Sequence, residues 1–121
     1  MKRVLIALLA VAALAAGAAT AQAQPTASHH AALLARVTVK ASEFKFVLSQ
    51  KSAGRGVVIF KVTNVGAVGH DFQISGRKTR VLSHGQSATL RVTFLRKGAY
   101  AYKCTVAGHA AAGMKGVFTI K

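Results

Sequence analysis

Apolar and polar residues alternate with a period of two along most of the chain beyond about residue 35. The alternation is clearest in residues 37–41, 58–62 and 90–94, and glycine-containing turns separate the runs. Because side chains two residues apart lie on the same face of a β-strand, each run predicts a strand with one face in a core. Seven or eight such strands, without a helical period, predict an all-β chain that forms a single sandwich of two antiparallel sheets.

Two local expectations follow from the same alternation. Phe44 has the parity of Phe46 and Leu48, so we expect all three side chains to face the core. We also expect a short strand around residues 80–82, followed by a polar turn in which His84 lies at the surface.

The N-terminal residues have the composition of a secretory signal peptide. A basic start precedes a nearly unbroken apolar run at residues 4–19, and the small residues Ala21 and Ala23 supply a cleavage site. We therefore predict a signal peptide at residues 1–23 and a periplasmic or secreted protein. The alternative, an uncleaved membrane anchor, is disfavoured because the run is at the short end for spanning a bilayer.

The remaining chain is long enough for one domain. Residues 24–34 have no period and are predicted to be a flexible N-terminal segment. Residues 35–121 contain all of the predicted strands and are expected to form one domain.

The charge of the chain is strongly positive. It has seventeen lysines and arginines against two acidic residues, Glu43 and Asp71. Removal of Lys2 and Arg3 with the signal peptide leaves fifteen basic residues against two acidic ones, a formal net charge of +13. Charge of this kind accelerates association with acidic partners and says little about the fold. We expect a monomer that contacts acidic proteins transiently and is attracted to anionic membrane surfaces, without binding nucleic acid.

Residues with soft metal-binding side chains are concentrated near the C-terminus. Cys104, His109 and Met114 fall within eleven residues, and the single cysteine cannot form a disulfide within the chain. His70 is the candidate for a second histidine, because it shares an inward-facing parity with the strand that follows it. Two histidines and one cysteine, with a weak axial methionine, describe a blue-copper electron-transfer site.

These residues make the sequence resemble the cupredoxins, the family of small blue-copper proteins. The resemblance rests on the motif Gly-His70-Asp-Phe and on the spacing Cys104-x4-His109-x4-Met114, and it covers roughly residues 37–121. It implies a Greek-key β-sandwich with one type 1 copper ion, held by His70, Cys104 and His109. Met114 would be the long axial ligand, and the outer edge of the His109 ring would reach solvent and pass the electron.

Two positions depart from the family pattern. Ala107 stands where azurin-like loops usually carry a proline, which frees a backbone N–H near the sulfur. Asp71 stands where asparagine is more frequent, which adds a charge close to the site. Hydrogen bonding around the cysteine sulfur tunes the potential of such centres, so we expect these positions to affect the reduction potential.

Other kinds of site and protein were weighed against this interpretation. Multicopper enzymes would need a histidine beside the ligand cysteine, yet Lys103 and Thr105 flank Cys104, so we expect no enzyme. A zinc site of one cysteine and two histidines would leave Met114 without a role. A copper carrier or storage protein without a redox role needs the same ligands and stays the main alternative. The last alternative is a plain β-sandwich interaction module in which the four residues coincide by chance.

Overall fold

The computed structural model describes residues 12–13, 15–23 and 34–121. Nine β-strands lie within these residues and form two sheets. The strands are β1 (Ala35–Ser42), β2 (Lys45–Leu48), β3 (Ser52–Ala53), β4 (Gly56–Asn64), β5 (Gln73–Ile74), β6 (Arg77–Lys78), β7 (Ser87–Phe94), β8 (Gly98–Lys103) and β9 (Lys115–Ile120). One sheet has the order β2-β1-β4-β7 and the other has the order β3-β9-β8-β5-β6.

The all-β sandwich expected from the alternation is confirmed, with two differences in detail. The strand count exceeds seven or eight because β3, β5 and β6 contain only two residues each. The sheets are also mixed, since β1 pairs with β4 and β3 pairs with β9 in parallel. Strand direction depends on how the chain connects the strands, and a period of two carries no information about it.

The core between the sheets is dominated by phenylalanine rings. Phe60, Phe72, Phe94 and Phe118 are fully buried. The ring centroid of Phe60 lies 5.3 Å from that of Phe72 and 5.3 Å from that of Phe118. Because Phe60 belongs to one sheet and Phe118 to the other, these contacts join the two sheets. Burial of each ring contributes about 1.5–3 kcal/mol, and the joined sheets fix the positions of the strand ends.

Two local expectations are wrong, and both concern connections between strands. Phe44 does not face the core: it lies in the turn between β1 and β2 and is 42% exposed. Residues 80–82 do not form a strand, although Leu82 makes an isolated antiparallel bridge to His70. In both places the chain turns before the alternation ends, so parity no longer assigns a face.

The predicted signal peptide at residues 1–23 and flexible segment at residues 24–34 fall largely outside the described residues and stay predictions. Among the residues that are described, no helix has the length and apolar character required to cross a membrane.

Candidate metal centre

Three chain connections meet at one end of the sandwich. They are the turn at residues 43–44, the β4–β5 connection at residues 65–72 and the β8–β9 loop at residues 104–114. We call this end, with these three connections, the ligand pole. Potential ligand atoms of His70, Cys104 and His109 lie there within 4.8 Å of one another.

His70 is fixed by backbone pairing on the β4–β5 connection. Its N–H donates to the carbonyl of Leu82 at 3.1 Å, and the N–H of Leu82 donates to the carbonyl of His70 at 2.7 Å. The His70 side chain is completely buried, as are those of Phe72 and Ile74. The inward parity expected for His70 therefore agrees with its observed burial.

The buried side chain of Asn64 connects the segments around His70. Its amide nitrogen donates to the carbonyls of Val68 and Leu82, both at 2.7 Å, and its side-chain oxygen accepts from the N–H of Gly66 at 2.8 Å. Asn64 is 0% exposed, so all three bonds form away from bulk water. A buried amide whose donors and acceptor are all satisfied gives the loop one defined conformation.

Cys104 and Met114 stand at the two ends of the β8–β9 loop. The N–H of Cys104 donates to the carbonyl of Met114 at 3.0 Å, which closes the loop at its base. Both side chains are buried and pack in one cluster with Ala41, against which Phe46 and Val106 are packed. The thioether of Met114 therefore lies in the same apolar cluster as the thiol of Cys104.

His109 lies in the middle of this loop and is only partly buried. Its N–H donates to the carbonyl of Val106 at 3.1 Å, and its own carbonyl accepts from the N–H of Met114 at 3.1 Å. Gly108, just before it, has a φ of 82°, a conformation that glycine adopts without steric cost. The ring packs edge-on against Phe44, with centroids 5.0 Å apart.

The distances between donor atoms suit a shared metal ion. Nδ1 of His109 lies 3.1 Å from Nδ1 of His70 and 3.6 Å from Sγ of Cys104. Donors that bind one first-row ion at about 2.0–2.3 Å lie about 3–4 Å from each other. Two imidazoles and a thiolate, with the Met114 thioether packed in the same cluster as Cys104, form the donor set of blue copper. The residues present therefore fit a copper ion.

Glu43 contacts His70 from the turn between β1 and β2. Its Oε1 lies 3.1 Å from Nε2 of His70 and accepts from the N–H of Val68 at 2.8 Å. Together with weaker contributions from its own backbone and from His70, the bond from Val68 lowers the pKa of the Glu43 carboxyl from 4.5 to about 2. Glu43 is therefore ionised in the folded protein at mildly acidic and neutral pH.

Asp71 links the two segments that carry His70 and Cys104. Its Oδ1 accepts from the N–H of Thr105 at 2.6 Å, and its Oδ2 accepts from the hydroxyl of Thr105 in a second, short hydrogen bond. Asp71 is 2% exposed. Asp71, which follows His70, is thus hydrogen-bonded twice to Thr105, which follows Cys104.

The environment of Cys104 keeps its thiol protonated in the metal-free protein. Burial raises the pKa of the Cys104 thiol, although the backbone N–H groups of Asp71 and Val106 partly oppose the rise. A metal that binds here must displace the thiol proton.

The chain matches the family model of copper-binding proteins of the plastocyanin/azurin type over residues 27–121. The protein is a member of the cupredoxin family. Its resident metal is accordingly one copper ion, in agreement with the donor set at the ligand pole. No curated protein sequence matches the chain significantly.

Solved cupredoxin structures share the fold at low sequence identity. Auracyanin B superposes with a TM-score of 0.61 at 21% identity, covering 74% of this chain and 90% of its own. Reduced auracyanin from Roseiflexus castenholzii has a TM-score of 0.57 at 19% identity, covering 74% and 98%. Auracyanin A, a blue copper protein from Chloroflexus aurantiacus, has a TM-score of 0.61 at 14% identity, covering 73% and 99%.

Sequence reasoning brought the four candidate ligands to attention but missed the residues that support them. Glu43 contacts His70, which lies 27 residues further along the chain, and Asn64 bonds to Leu82, 18 residues further along. Phe44 contacts His109. The available signal for Glu43 was its rarity, since it is one of two acidic residues in the chain. For Asn64 the signal was an amide at the end of an apolar strand, where a buried polar group requires partners.

Proposed function

We propose that this cupredoxin is an exported, one-copper electron-transfer protein that cycles between Cu(I) and Cu(II). The observation that carries the proposal is the convergence of donor atoms from His70, Cys104 and His109 within 4.8 Å. Two further findings support it: the match to a copper-binding family and the likeness to an auracyanin whose crystal structure is of a dithionite-reduced form. The proposed export rests on the predicted signal peptide at residues 1–23.

We assign His70, Cys104 and His109 as the three strong ligands that would hold copper, and Met114 as a fourth, weaker one. Copper, when bound, supplies the one-electron redox chemistry. The protein supplies fixed positions for the donors, because backbone bonds hold His70 and close the loop between Cys104 and Met114. Donors that are already held in place have little to rearrange when the charge of the site changes by one.

The surface around His109 suits brief docking. The partly buried ring of His109 packs against the exposed Phe44. The other two connections of the ligand pole carry further exposed apolar residues, namely Ala67, Val68, Ala111 and Ala112. Redox encounters bury little surface, typically below about 1,200 Å² in total. A small apolar rim is sufficient for contacts of that size, and it leaves the exposed edge of His109 facing the partner.

The charge of the protein indicates the kind of partner. Basic residues dominate the chain, with seventeen against two acidic ones, and both acidic residues are engaged at the ligand pole. An acidic redox protein would therefore be steered towards this molecule at low ionic strength. No catalytic step is part of the proposal.

Delivery or storage of copper is the second candidate function, because the same ligands would serve it. Voltammetry combined with a chelator competition distinguishes the two. The proposal predicts fast, reversible one-electron cycling with copper retained in both oxidation states. Release of Cu(I) to a modest chelator, or irreversible cycling, would contradict electron transfer and support delivery.

A further inference from the structure

The side chain of Glu43 contacts the His70 ring through its Nε2 nitrogen. Its Oε1 is 3.1 Å from Nε2 of His70 and 2.8 Å from the backbone nitrogen of Val68. His70 itself is completely buried, whereas the Glu43 side chain is one-third exposed. The carboxylate thus holds the ring of His70 on the side opposite Nδ1, the atom that approaches His109 at 3.1 Å.

The chemistry of this contact selects one tautomer of His70. An ionised carboxylate can only accept hydrogen bonds, so Nε2 of His70 must carry the hydrogen. A neutral imidazole with hydrogen on Nε2 has a lone pair on Nδ1. That lone pair is directed towards the donor cluster of His109 and Cys104, where a copper ligand is needed.

We propose that Glu43 is a positioning residue of the copper site: it locks His70 in the Nε2–H tautomer, and its negative charge favours Cu(II) over Cu(I). The inference rests on the proposed copper site and goes beyond it, because a ligand set alone does not specify a carboxylate partner. Hydrogen-bonded partners of metal-binding histidines orient the ring and raise its basicity.

The distribution of acidic residues supports this role. The chain has only two carboxylate side chains, and both contact the ligand pole. The Asp71 carboxylate accepts two hydrogen bonds from Thr105. The Glu43 carboxylate is the one that contacts the ring of a candidate ligand, His70. In a protein that is otherwise basic, this local negative charge stabilises the more positive oxidation state of a nearby ion.

Gly66 provides the space that the carboxylate occupies. A Cβ atom at this position would lie 2.5 Å from Oε1 and 2.7 Å from Oε2 of Glu43. Alanine at position 66 would therefore displace the Glu43 carboxylate, whose atoms are the three nearest to that Cβ. This gives a second, independent way to remove the contact.

The test compares Glu43→Gln and Glu43→Ala with the parent protein. Both contacts of the carboxylate go to Oε1, so glutamine can keep them while losing the charge, and alanine loses both contacts and charge. Imidazole nitrogen NMR of the metal-free proteins reports the tautomer of His70. We expect the Nε2–H tautomer in the parent and in Glu43→Gln, and a mixture of tautomers in Glu43→Ala.

Copper measurements on the same proteins report the charge. We expect Glu43→Ala to weaken Cu(II) binding about 10- to 100-fold. In Glu43→Gln we expect Cu(II) affinity to fall by up to about tenfold with Cu(I) affinity little changed, which raises the one-electron potential by up to about 59 mV. The control is Gln50→Lys, which changes the net charge by the same one unit. Gln50 follows the C-terminal end of β2, whereas the ligand pole lies at the N-terminal end of that strand. This variant should leave the potential close to that of the parent.

A double-mutant cycle with Gly66→Ala separates this role from a general effect on folding. The single variant Gly66→Ala should reproduce the tautomer mixture and weaker Cu(II) binding of Glu43→Ala. In the Glu43→Ala background it should add little, because the clashing carboxylate is gone.

The inference is overturned if Glu43→Ala keeps His70 fully in the Nε2–H tautomer, or if Glu43→Gln and Gln50→Lys change the potential equally. Failure of the proposed electron transfer is a different result, namely irreversible cycling or loss of copper from the parent. Because the tautomer is read in metal-free protein, it tests Glu43 whether or not the parent transfers electrons.

Discussion

The two histidines of the ligand pole are held in contrasting ways. His70 is completely buried, is paired on its backbone with Leu82 and has a carboxylate on its outer ring nitrogen. His109 lies in the middle of an eleven-residue loop, is partly exposed and has the ring of Phe44 as its neighbour. One candidate ligand thus belongs to the rigid sandwich and the other to its surface.

This contrast divides the requirements of an electron carrier between two residues. A ligand fixed inside the fold keeps the geometry constant, whereas a ligand at the surface shortens the distance to a partner. The same division predicts which substitutions the site tolerates, and each prediction below tests a part of it.

The largest expected effect comes from removing either imidazole. His109→Ala should lose the blue colour and regain it on addition of imidazole, because the vacated position opens to solvent. His70→Ala should lose the colour without rescue, because the side chain is 0% exposed and free imidazole has no direct access. Absorption spectra of the copper-loaded variants, with and without imidazole, provide the measurement.

Equal rescue of both variants would break the contrast between a buried and a surface ligand. If His109→Ala kept the parent spectrum, His109 would not be a ligand at all.

A smaller effect is expected from the support of His70. Asn64→Ala leaves the carbonyls of Val68 and Leu82 and the N–H of Gly66 without this partner. Each loss at a buried group costs about 1–3 kcal/mol. The bonds to Leu82 and Gly66 are buried, whereas water can replace the bond to the carbonyl of the exposed Val68, so we expect the free energy of unfolding to fall by roughly 2–6 kcal/mol. The comparison variant on the His109 side is Ala111→Gly, in the exposed β8–β9 loop. It should lower the free energy of unfolding by less than about 1 kcal/mol.

Chemical denaturation of the two metal-free variants measures these values. Comparable losses in both would show that the loop is as strongly integrated in the fold as the His70 segment.

The smallest expected effect is a pH dependence of the free energy of unfolding that arises from Glu43, the residue in contact with His70. The bond from Val68, with smaller contributions from His70, lowers the pKa of Glu43 from 4.5 to about 2 in the folded protein. Its contribution to stability is therefore present above about pH 4.5 and is lost as the pH falls towards 2. Metal-free Glu43→Gln should lack this part of the acid-induced loss, as seen in unfolding curves recorded at pH 5, 4 and 3.

Gln50→Lys is again the control, and it should retain the acid-induced loss of the parent. If Glu43→Gln and the parent lose stability in parallel, the carboxylate makes no net contribution through its bonds.

The parts of the structure that the sequence could predict are those that depend on short-range patterns of residues. Alternation identified the strands, and parity placed His70 on an inward face, because both depend only on neighbours two residues apart. Cys104 and Met114 were brought to attention by their chemistry and spacing. Their adjacency follows from one loop that returns on itself, with the N–H of Cys104 bonded to the carbonyl of Met114.

The parts that it could not predict arise where separate connections meet. Glu43 reaches His70 from a turn 27 residues away, and Phe44 leaves the core to pack on His109. Asn64 bonds to Leu82 across 18 residues. Each of these contacts depends on the relative position of two loops, which the packing of the whole sandwich sets and no local period encodes.

The central claim, that His70, Cys104, His109 and Met114 hold one copper ion, is tested most directly by titrating the metal-free protein with Cu(II) and recording its absorption. The account predicts an intense blue band from charge transfer between the Cys104 thiolate and copper, saturating at one ion per chain. It also predicts that Cys104→Ser abolishes the band while the circular dichroism of the β-sandwich is retained. A colourless complex, or a blue band that survives in Cys104→Ser, would contradict it.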